Sequence, residues 1–334
     1  MKVIIPVAGM GTRMRPHTHS NPKPLMIVAG KPAINHILDS LEGLDISEVI
    51  IIAGGVIVGR QLDTLKKYIE GAYKYKFTFL EQDELKGPAH ALAVAEKRID
   101  EPVLIDFCDT LFETDMSVVK KLKDEAGIIW TKEVEDYKRF GICVLDKKGF
   151  LKEMVEKPEQ PVGKLATIGL YFIKDYKLFF EAINYIFKNN LTVKGEYYLP
   201  DAFMYMINKG AKIICPEVDS WYDTGKPETL LESNKALLKK NHKAIKAENS
   251  TIIPPVHIAD DVVIKDSVIG PFVSIAKGSK ITSCIIKDSL IGEDSELSNL
   301  VLERSIIGRE ATVEAESSKL NIGDNSVISL KRKY

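Results

Sequence analysis

The chain begins with an apolar run that leads directly into a glycine-rich turn, VIIPVAGMGTR at residues 3–13. Glycines at positions 9 and 11 let the backbone come close to a ligand and adopt positive φ angles. Successive backbone N–H groups in such a turn can bind an anion. Arg13 and Lys23, which stands between prolines at residues 22–24, can add full positive charges. The stretch therefore predicts a cradle for a polyphosphate.

Two common glycine loops do not fit this stretch. The dinucleotide-binding pattern G-x-G-x-x-G needs a third glycine where this chain has Met14. The P-loop pattern G-x-x-x-x-G-K-S/T does not match it either. The alternative is an ordinary glycine turn between a strand and a loop. The Thr-Arg pair and the later Pro-Lys-Pro argue against that alternative.

Amphipathic segments and apolar runs alternate after this loop. Helices are predicted at 32–43, 58–70 and 88–98, and strands at 49–53, 77–80 and 103–105. This alternation is typical of βαβ units, so we expect an α/β fold with a Rossmann-like, mostly parallel sheet flanked by helices. Ligands of such folds bind at the carboxyl ends of the strands, where the glycine loop lies.

Composition excludes several classes of protein. A length of 334 residues predicts two domains. The 46 basic and 47 acidic residues nearly cancel, which argues against a nucleic-acid or membrane partner. The start of the chain lacks a signal-peptide pattern, and no apolar segment is long enough to cross a membrane. The four cysteines show neither zinc nor disulfide spacing, so we expect a cytoplasmic protein.

The last part of the chain has a different period. An aliphatic residue recurs every six positions within successive runs, at Val263, Ile269, Ile275, Ile281; Ile285, Ile291, Leu297; Val301, Ile307, Val313; Ile322, Ile328. A stride of six is the hexapeptide signature of a parallel β-helix, here expected to be left-handed. We predict a first domain at 1–240, a linker at 241–250 and the β-helix at 251–330. Because an end coil cannot complete its own burial, we also expect a homo-oligomer formed through the β-helix.

The motif order at residues 9–24 resembles the signature of the sugar-1-phosphate nucleotidylyltransferases, especially those that make thymidylyl- or uridylyl-glucose. The resemblance covers nearly the whole chain and implies that Arg13 and Lys23 hold the phosphates of a nucleoside triphosphate. It also implies that a Gln, followed by Gly-x-Ala, reads a pyrimidine base, for which an amide that both donates and accepts is suited. The implied nucleotide-binding residues are Ala8, Gly9, Gly11, Thr12, Gln82 and Gly87.

Two aspartates resemble the metal ligands of that family. Asp109 follows the strand at 103–105 where the family has Gly-Asp, and Asp223 lies in WYDTG, which resembles its Trp-x-Asp-x-Gly. Carboxylate and phosphate oxygens suit Mg²⁺, the implied cofactor. Cys108 stands where the family has glycine, so the resemblance does not predict the backbone conformation beside Asp109. A turn or helix cap is the alternative for Asp109, and nearby Asp106 is expected to be structural.

A further set of residues is implied to bind the sugar and its phosphate. In the Glu-Lys-Pro stretch at 156–158, the resemblance gives Glu156 to the sugar hydroxyls and Lys157 to the phosphate. Gly141, Thr167 and Glu196 are implied as further sugar contacts, with helix capping as the alternative for Glu196. The implied catalytic residues are Arg13, Lys23, Asp109, Lys157 and Asp223.

The hypothesis is therefore nucleotidyl transfer from UTP or dTTP to a sugar 1-phosphate, most simply glucose 1-phosphate, with release of pyrophosphate. A mannose-1-phosphate guanylyltransferase that uses GTP is the enzymatic alternative. A non-catalytic regulatory subunit that binds sugar nucleotides is the alternative of another class.

Overall fold

The computed structural model describes residues 1–7, 9, 11–19, 21–54, 60–239 and 247–315. The chain forms two compact units, Met1–Leu237 and Leu238–Tyr334. Most of the predicted linker and the end of the predicted β-helix, including Ile322 and Ile328, lie outside the described residues. The predicted domain boundaries therefore stay predictions.

Short strands and helices alternate along the first unit. The strands are β1 Lys2–Pro6, β2 Ile27–Val28, β3 Lys31–Pro32, β4 Glu48–Gly54, β5 Phe77–Gln82, β6 Val103–Asp106, β7 Thr110–Glu113, β8 Gly127–Glu133, β9 Gly141–Leu145, β10 Leu151–Glu156, β11 Leu165–Ile173, β12 Ile213–Ile214 and β13 Ser220–Asp223. The helices are α1 Ala33–Ser40, α2 Arg60–Ala72, α3 Pro88–Ala93, α4 Tyr176–Lys188, α5 Pro200–Asn208 and α6 Pro227–Leu238. The predicted helix at 88–98 is α3 followed by a separate 3₁₀ turn at Glu96–Arg98.

One large sheet organises this unit. Its strand order is β10-β9-β11-β6-β1-β4-β5, and β8 pairs with both β11 and β12. The strands β6, β1, β4 and β5 are parallel, whereas β11 runs antiparallel to β6, β8 and β9. Every residue of β4 is buried, as expected for a strand covered on both faces. The predicted α/β class and mostly parallel sheet are confirmed.

The sheet brings two loops of the sequence together. Strands β1 and β6 are parallel neighbours, with Ile4 opposite Ile105. The glycine-rich loop leaves the carboxyl end of β1, and the segment leading to Asp109 leaves the carboxyl end of β6. Both loops therefore emerge side by side at the same edge of the sheet.

The second unit is a three-sided stack of short parallel strands, the arrangement of a left-handed β-helix. The strands are β14 Thr251–Ile252, β15 Val256–Ile258, β16 Val263–Lys265, β17 Val268–Ile269, β18 Val273–Ile275, β19 Lys280–Thr282, β20 Ile285–Lys287, β21 Leu290–Ile291, β22 Glu296–Ser298, β23 Val301–Glu303, β24 Ile306–Ile307 and β25 Thr312–Glu314. They form three four-stranded sheets, β14-β17-β20-β23, β15-β18-β21-β24 and β16-β19-β22-β25. Ile264, Ile281 and Leu297 stack in register in its core. The predicted hexapeptide coil is confirmed.

None of the helices in the described ranges has the length and hydropathy to span a bilayer.

Candidate active site

Asp109 and Asp223 are brought together by a two-stranded ribbon. Strand β7 begins directly after Asp109 and pairs antiparallel with β13, so that Thr110 lies opposite Asp223. The backbone N–H and the hydroxyl of Thr224 both donate to the carbonyl oxygen of Asp109, at 3.1 and 3.2 Å. Two carboxylates that are 114 positions apart in the sequence (109 and 223) therefore lie side by side at the sheet edge.

Lys23 forms an ion pair with Asp109. Its Nζ lies 2.9 Å from Asp109 Oδ2, and its side chain is only 11% exposed. Desolvation alone would lower the pKa of Lys23, but the carboxylate outweighs it and the pKa is raised. The ammonium of Lys23 in turn lowers the pKa of Asp109, with a smaller contribution from Arg13. Asp109 is therefore held in its ionised form.

Asp223 is fixed by a different set of contacts. The backbone N–H of Gly225 donates to its Oδ1 at 2.6 Å. Its Oδ2 faces Nη2 of Arg139 at 3.7 Å. A Cβ on Gly225 would lie 2.8 Å from Asp223 Oδ1 and 3.5 Å from Arg13 Nη2. Glycine at this position therefore leaves space between a carboxylate and a guanidinium.

Asp109 and Asp223 line an open cleft of about 470 Å³, whereas Lys23 is not among its lining residues and reaches it through Asp109. Its lining includes three cations and three carboxylates: Arg13, Arg139, Lys157, Asp109, Asp223 and Glu156. Gly141 and Thr167 also line it, as do the aromatic side chains Phe107, Phe140, Tyr171, Tyr198 and Trp221. A cleft with this mixture of charge and aromatic surface suits a ligand that carries both phosphate and ring groups.

Lys157 lies in a chain of polar contacts that includes Glu156 and Tyr198. It follows β10 with a φ of 45°. Its Nζ lies 3.3 Å from Glu156 Oε1 and donates to the hydroxyl of Tyr198 at 3.0 Å. The Tyr198 hydroxyl donates to Glu196 Oε2 at 2.6 Å. Burial raises the pKa of Glu156 even though Lys157 opposes this shift.

Gly141 leaves space for the side chains of Glu156 and Thr167, which line the cleft. A Cβ on Gly141 would lie 3.0 Å from Thr167 Cγ2 and 3.2 Å from Glu156 Oε2. The hydroxyl of Thr167 donates to that of Tyr171 at 2.9 Å, which fixes its direction. A larger residue at position 141 would therefore displace both neighbours.

Among the described residues of the glycine-rich loop, one lines the cleft. Arg13 lines it, whereas Gly9, Gly11 and Thr12 are not among the lining residues. Gly11 has a φ of 57° and precedes a 3₁₀ turn at Thr12–Met14. Its carbonyl oxygen accepts a hydrogen bond from Thr18 Oγ1 at 2.8 Å. Ala8 lies outside the described residues.

The residues predicted to read the base lie beside the cleft rather than in its lining. Gln82 is buried at the end of β5, where its Nε2 lies 2.9 Å from His90 Nδ1 in a hydrogen bond. Gly87 has a φ of 100°, and a Cβ there would lie 2.6 Å from the carbonyl oxygen of Tyr197. His90, on α3, fixes the side chain of Gln82 through their hydrogen bond. Glu196 also lies outside the lining and reaches the cleft through Tyr198.

The sequence analysis missed Arg139 and the part played by Tyr198. Arg139 ends a 3₁₀ turn at Tyr137–Arg139, directly before the Phe-Gly pair of residues 140–141. That adjacency to a predicted sugar contact was the signal that could have found it. Asp106, expected to be structural, is fully buried, and its carboxyl oxygens have no hydrogen-bond partner among the described residues. Burial, and next the charge of Asp109, raise the pKa of Asp106 well above its usual value.

The two carboxylates at the β7–β13 ribbon fit a hard divalent cation that takes its remaining ligands from a substrate. In the described ranges, no cluster of three or more His, Cys, Asp or Glu side chains is arranged for a metal ion. Asp109 and Asp223 provide two carboxylates, and each already faces a protein cation. Mg²⁺ commonly binds one or two carboxylates and takes its remaining ligands from phosphate and water, so two carboxylates are enough.

Comparisons with known proteins show the family of the chain. Residues 2–240 match the family model described as "Nucleotidyl transferase". The chain is 34% identical over 273 residues to the bifunctional protein GlmU of Methanocaldococcus jannaschii. This alignment covers 80% of this chain but only 60% of that protein. It is 30% identical over 251 residues to the UTP–glucose-1-phosphate uridylyltransferase AglF of Haloferax volcanii, covering 73% of this chain and 99% of that protein.

Two further matches extend the comparison. A glucose-1-phosphate thymidylyltransferase of Streptomyces antibioticus is 27% identical over 365 residues, with 99% of this chain and 100% of that protein covered. A crystal structure of UDP-glucose pyrophosphorylase in complex with UDP-glucose superposes with a TM-score of 0.62 at 26% identity, covering 72% of this chain and 99% of that chain.

Proposed function

Because the chain belongs to the nucleotidyl transferase family, we propose that it transfers a nucleotidyl group from UTP or dTTP to glucose 1-phosphate and releases pyrophosphate. The observation that carries this proposal is the cleft in which Arg13, Asp109 and Asp223 face Glu156 and Lys157. Phosphate-binding cations and metal-binding carboxylates are what a reaction between a triphosphate and a sugar phosphate requires.

The reaction needs no nucleophile from the protein. The phosphate oxygen of the sugar 1-phosphate is already ionised at neutral pH, and it attacks the α-phosphorus while pyrophosphate leaves. Catalysis is therefore positioning and charge neutralisation. Lys157 binds the incoming phosphate against the repulsion of the triphosphate, and Arg13 and Lys23 offset the charge that builds up on the leaving pyrophosphate. Each such contact is worth about 2–4 kcal/mol in the transition state.

We assign the metal site to Asp109 and Asp223 and the cofactor to Mg²⁺. When bound, the ion supplies positive charge to phosphate oxygens and lowers the cost of bringing two anions together. Lys23 keeps Asp109 ionised, which is the form that a cation needs.

We assign the nucleotide to residues outside the described lining of the cleft and the sugar mainly to residues that line it. The loop residues Ala8, Gly9, Gly11 and Thr12, with Gln82 and Gly87, bind the nucleotide. Gly141, Glu156, Thr167 and Glu196 bind the sugar, Glu196 through Tyr198. The names of the Haloferax and Streptomyces relatives support UTP and dTTP, and both names specify glucose 1-phosphate.

Pyrophosphate release is the experiment that tests this function. The protein is mixed with Mg²⁺ and each pair drawn from UTP, dTTP, GTP, ATP and CTP with glucose 1-phosphate, glucosamine 1-phosphate and mannose 1-phosphate. We expect the fastest release with glucose 1-phosphate and UTP or dTTP. Release with GTP and mannose 1-phosphate would favour the guanylyltransferase alternative. No release with any pair would favour the non-catalytic regulatory subunit.

We also propose that the β-helix joins copies of the chain into a homo-oligomer and that the reaction takes place in the cytoplasm. Val268, Ile285 and Val301 lie in register on one outer face of the coil. Ile285 is 52% exposed and Val301 is 77% exposed. Exposed aliphatic columns of this kind are more often covered by a partner than left in water. All four cysteines are free and buried, which suits a reducing compartment.

A further inference from the structure

Arg139 is a third cation of the cleft and belongs to none of the motifs that predicted the site. Its Nη2 lies 3.7 Å from Asp223 Oδ2, and its side chain is 40% exposed. Its guanidinium carbon lies 5.3 Å from the centre of the Phe140 ring, so the group is held over an aromatic face. Arg139 is therefore placed in the cleft with only a loose contact to its carboxylate.

The two ion pairs of the ribbon differ in strength. Lys23 contacts Asp109 at 2.9 Å and is mostly shielded from solvent. The contact between Arg139 and Asp223 is 0.8 Å longer (3.7 against 2.9 Å), and its cation is more exposed, with 40% of the Arg139 side chain accessible against 11% for Lys23. Long, exposed ion pairs contribute little to stability. Because Gly225 separately holds the other oxygen of Asp223, Arg139 can leave without releasing this carboxylate.

The backbone ties Arg139 to the sugar-phosphate side of the cleft. The N–H of Lys157 donates to the carbonyl oxygen of Phe140 at 2.9 Å, one residue beyond Arg139. The two cations therefore extend into the same cleft from adjoining backbone. A guanidinium presents a planar pair of donors that matches two oxygens of one phosphate group.

We propose that Arg139 binds the phosphate of the sugar 1-phosphate together with Lys157, and that it exchanges Asp223 for this phosphate when a divalent cation binds the ribbon. This inference rests on the proposed function. In the substrate-free protein Arg139 pairs with Asp223, which reduces the repulsion between the carboxylates of Asp109 and Asp223. In the loaded protein its charge acts on the acceptor substrate.

A purely structural part for Arg139 makes the opposite prediction for metal binding. If Arg139 served to orient Asp223, its loss would weaken cation binding. If Arg139 competes with the cation, as we infer, its loss would strengthen cation binding. Mn²⁺ affinity of the substrate-free protein, measured by electron paramagnetic resonance of the free ion, separates these cases without relying on activity.

The variants are Arg139→Gln, Arg139→Lys and the control Lys138→Gln. Lys138 is exposed in the same 3₁₀ turn and is not among the residues that line the cleft, so the control removes the same charge outside the site. We expect Arg139→Gln to bind Mn²⁺ about threefold more tightly than the wild type, the scale of one exposed ion pair. Arg139→Lys and Lys138→Gln should stay near the wild type. Unchanged or weaker binding in Arg139→Gln would overturn the exchange.

Substrate affinity gives the second readout. We expect Arg139→Gln to raise the KM for glucose 1-phosphate by roughly tenfold or more, with the KM for the triphosphate within about twofold. Arg139→Lys should recover part of this loss. A rise in the triphosphate KM alone would overturn the assignment to the sugar phosphate.

Calorimetry with glucose 1-phosphate keeps this inference separate from the proposed function. If the wild type releases no pyrophosphate with any pair, the proposed function fails. Binding of glucose 1-phosphate to the wild type and its roughly tenfold weakening in Arg139→Gln would still support the site. Equal binding to both proteins would overturn it.

Discussion

At the scale of single residues, charge pairing determines how the cleft is prepared for anions. Lys23 and Asp109 stabilise each other's ionised forms, as the raised pKa of the lysine and the lowered pKa of the aspartate indicate. Glu156 differs, since burial raises its pKa beside Lys157. The site therefore contains a carboxyl group, Glu156, whose ionisation is unfavourable, next to a cation, Lys157, that is available to bind a phosphate.

Arg13 gives the first prediction. Its guanidinium lines the cleft near Asp109 and Asp223. Its loss removes a positive charge that would offset the negative charge of the leaving pyrophosphate. We expect Arg13→Ala to slow pyrophosphate release by at least roughly 100-fold, as for other electrostatic catalytic groups. Arg15→Ala, in the same segment but not among the lining residues, is the control. A near-wild-type rate for Arg13→Ala would refute its role.

Glu156 gives a prediction about stability and pH. Because its pKa is raised in the folded protein, the folded state binds more protons than the unfolded state between the two pKa values. Stability therefore falls as the pH rises through this window. We expect Glu156→Gln to melt roughly 2 °C higher than the wild type at pH 7.5, and the difference to disappear near pH 4.

Glu153→Gln is the matched control, because Glu153 is exposed on the same strand. Thermal melts of the three proteins across this pH range provide the measurement. Equal melting temperatures of the wild type and Glu156→Gln at pH 7.5 would contradict a destabilising effect of the ionised Glu156 carboxylate.

At the scale of elements, the β7–β13 ribbon shows what the sequence could and could not predict. The strand before Asp109 was recognisable as an apolar run, and the glycine loop by its composition. The pairing of Thr110 with Asp223 depends on the path of the whole unit, so spacing could not reveal it. The contact of Arg139 with Asp223 could not be predicted for the same reason, because Asp223 lies on a distant strand.

The residues predicted to read the base illustrate another limit. Gln82 was recognisable as an amide that can hydrogen-bond a base, but its hydrogen bond to His90 could not be predicted from the sequence. A sequence shows which side chains can hydrogen-bond, but the choice among partners is made by packing. The six-residue repeat was easier to read, because Ile269, Ile275, Ile281, Ile291 and Leu297 all lie in the core of the coil. Three positions of the predicted repeat, Val263, Ile285 and Val301, were wrong as core positions and lie on its outer surface, where the next residue of the first two, Ile264 and Ile286, fills the core instead.

The β-helix gives the prediction at this scale. Ile264 is 4% exposed in its core, whereas the preceding Val263 is 46% exposed. We expect Ile264→Ala to destabilise the coil by about 2–5 kcal/mol and Val263→Ala by less than about 1 kcal/mol. Hydrogen exchange of peptides from 256–307 measures the loss within the coil itself. Similar protection in both variants would contradict the assigned core.

At the scale of the whole molecule, the chain combines an α/β unit that carries the cleft with a coil that carries an exposed aliphatic face. The column of Val268, Ile285 and Val301 lies on the sheet β14-β17-β20-β23. Val263 lies on another sheet, where its register neighbour is Lys280. The two faces therefore differ in the chemistry they offer to a partner.

The oligomer is tested by charge introduced on each face. We expect Val301→Asp to lower the molar mass measured by light scattering towards that of a single 37.3 kDa chain, because a buried unpaired carboxylate is costly. Val263→Asp should leave the mass unchanged. A wild type that is monomeric, or a Val301→Asp protein with wild-type mass, would contradict assembly through this face.

The central claim is that Asp109 and Asp223 act together as the metal site of nucleotidyl transfer. The most direct measurement is pyrophosphate release with Mg²⁺, glucose 1-phosphate and UTP or dTTP by the wild type, Asp109→Asn, Asp223→Asn and the exposed control Asp124→Asn. We expect each ribbon variant to be at least roughly 100-fold slower and the control to be unaffected. A ribbon variant that keeps a rate near that of the wild type would contradict the central claim.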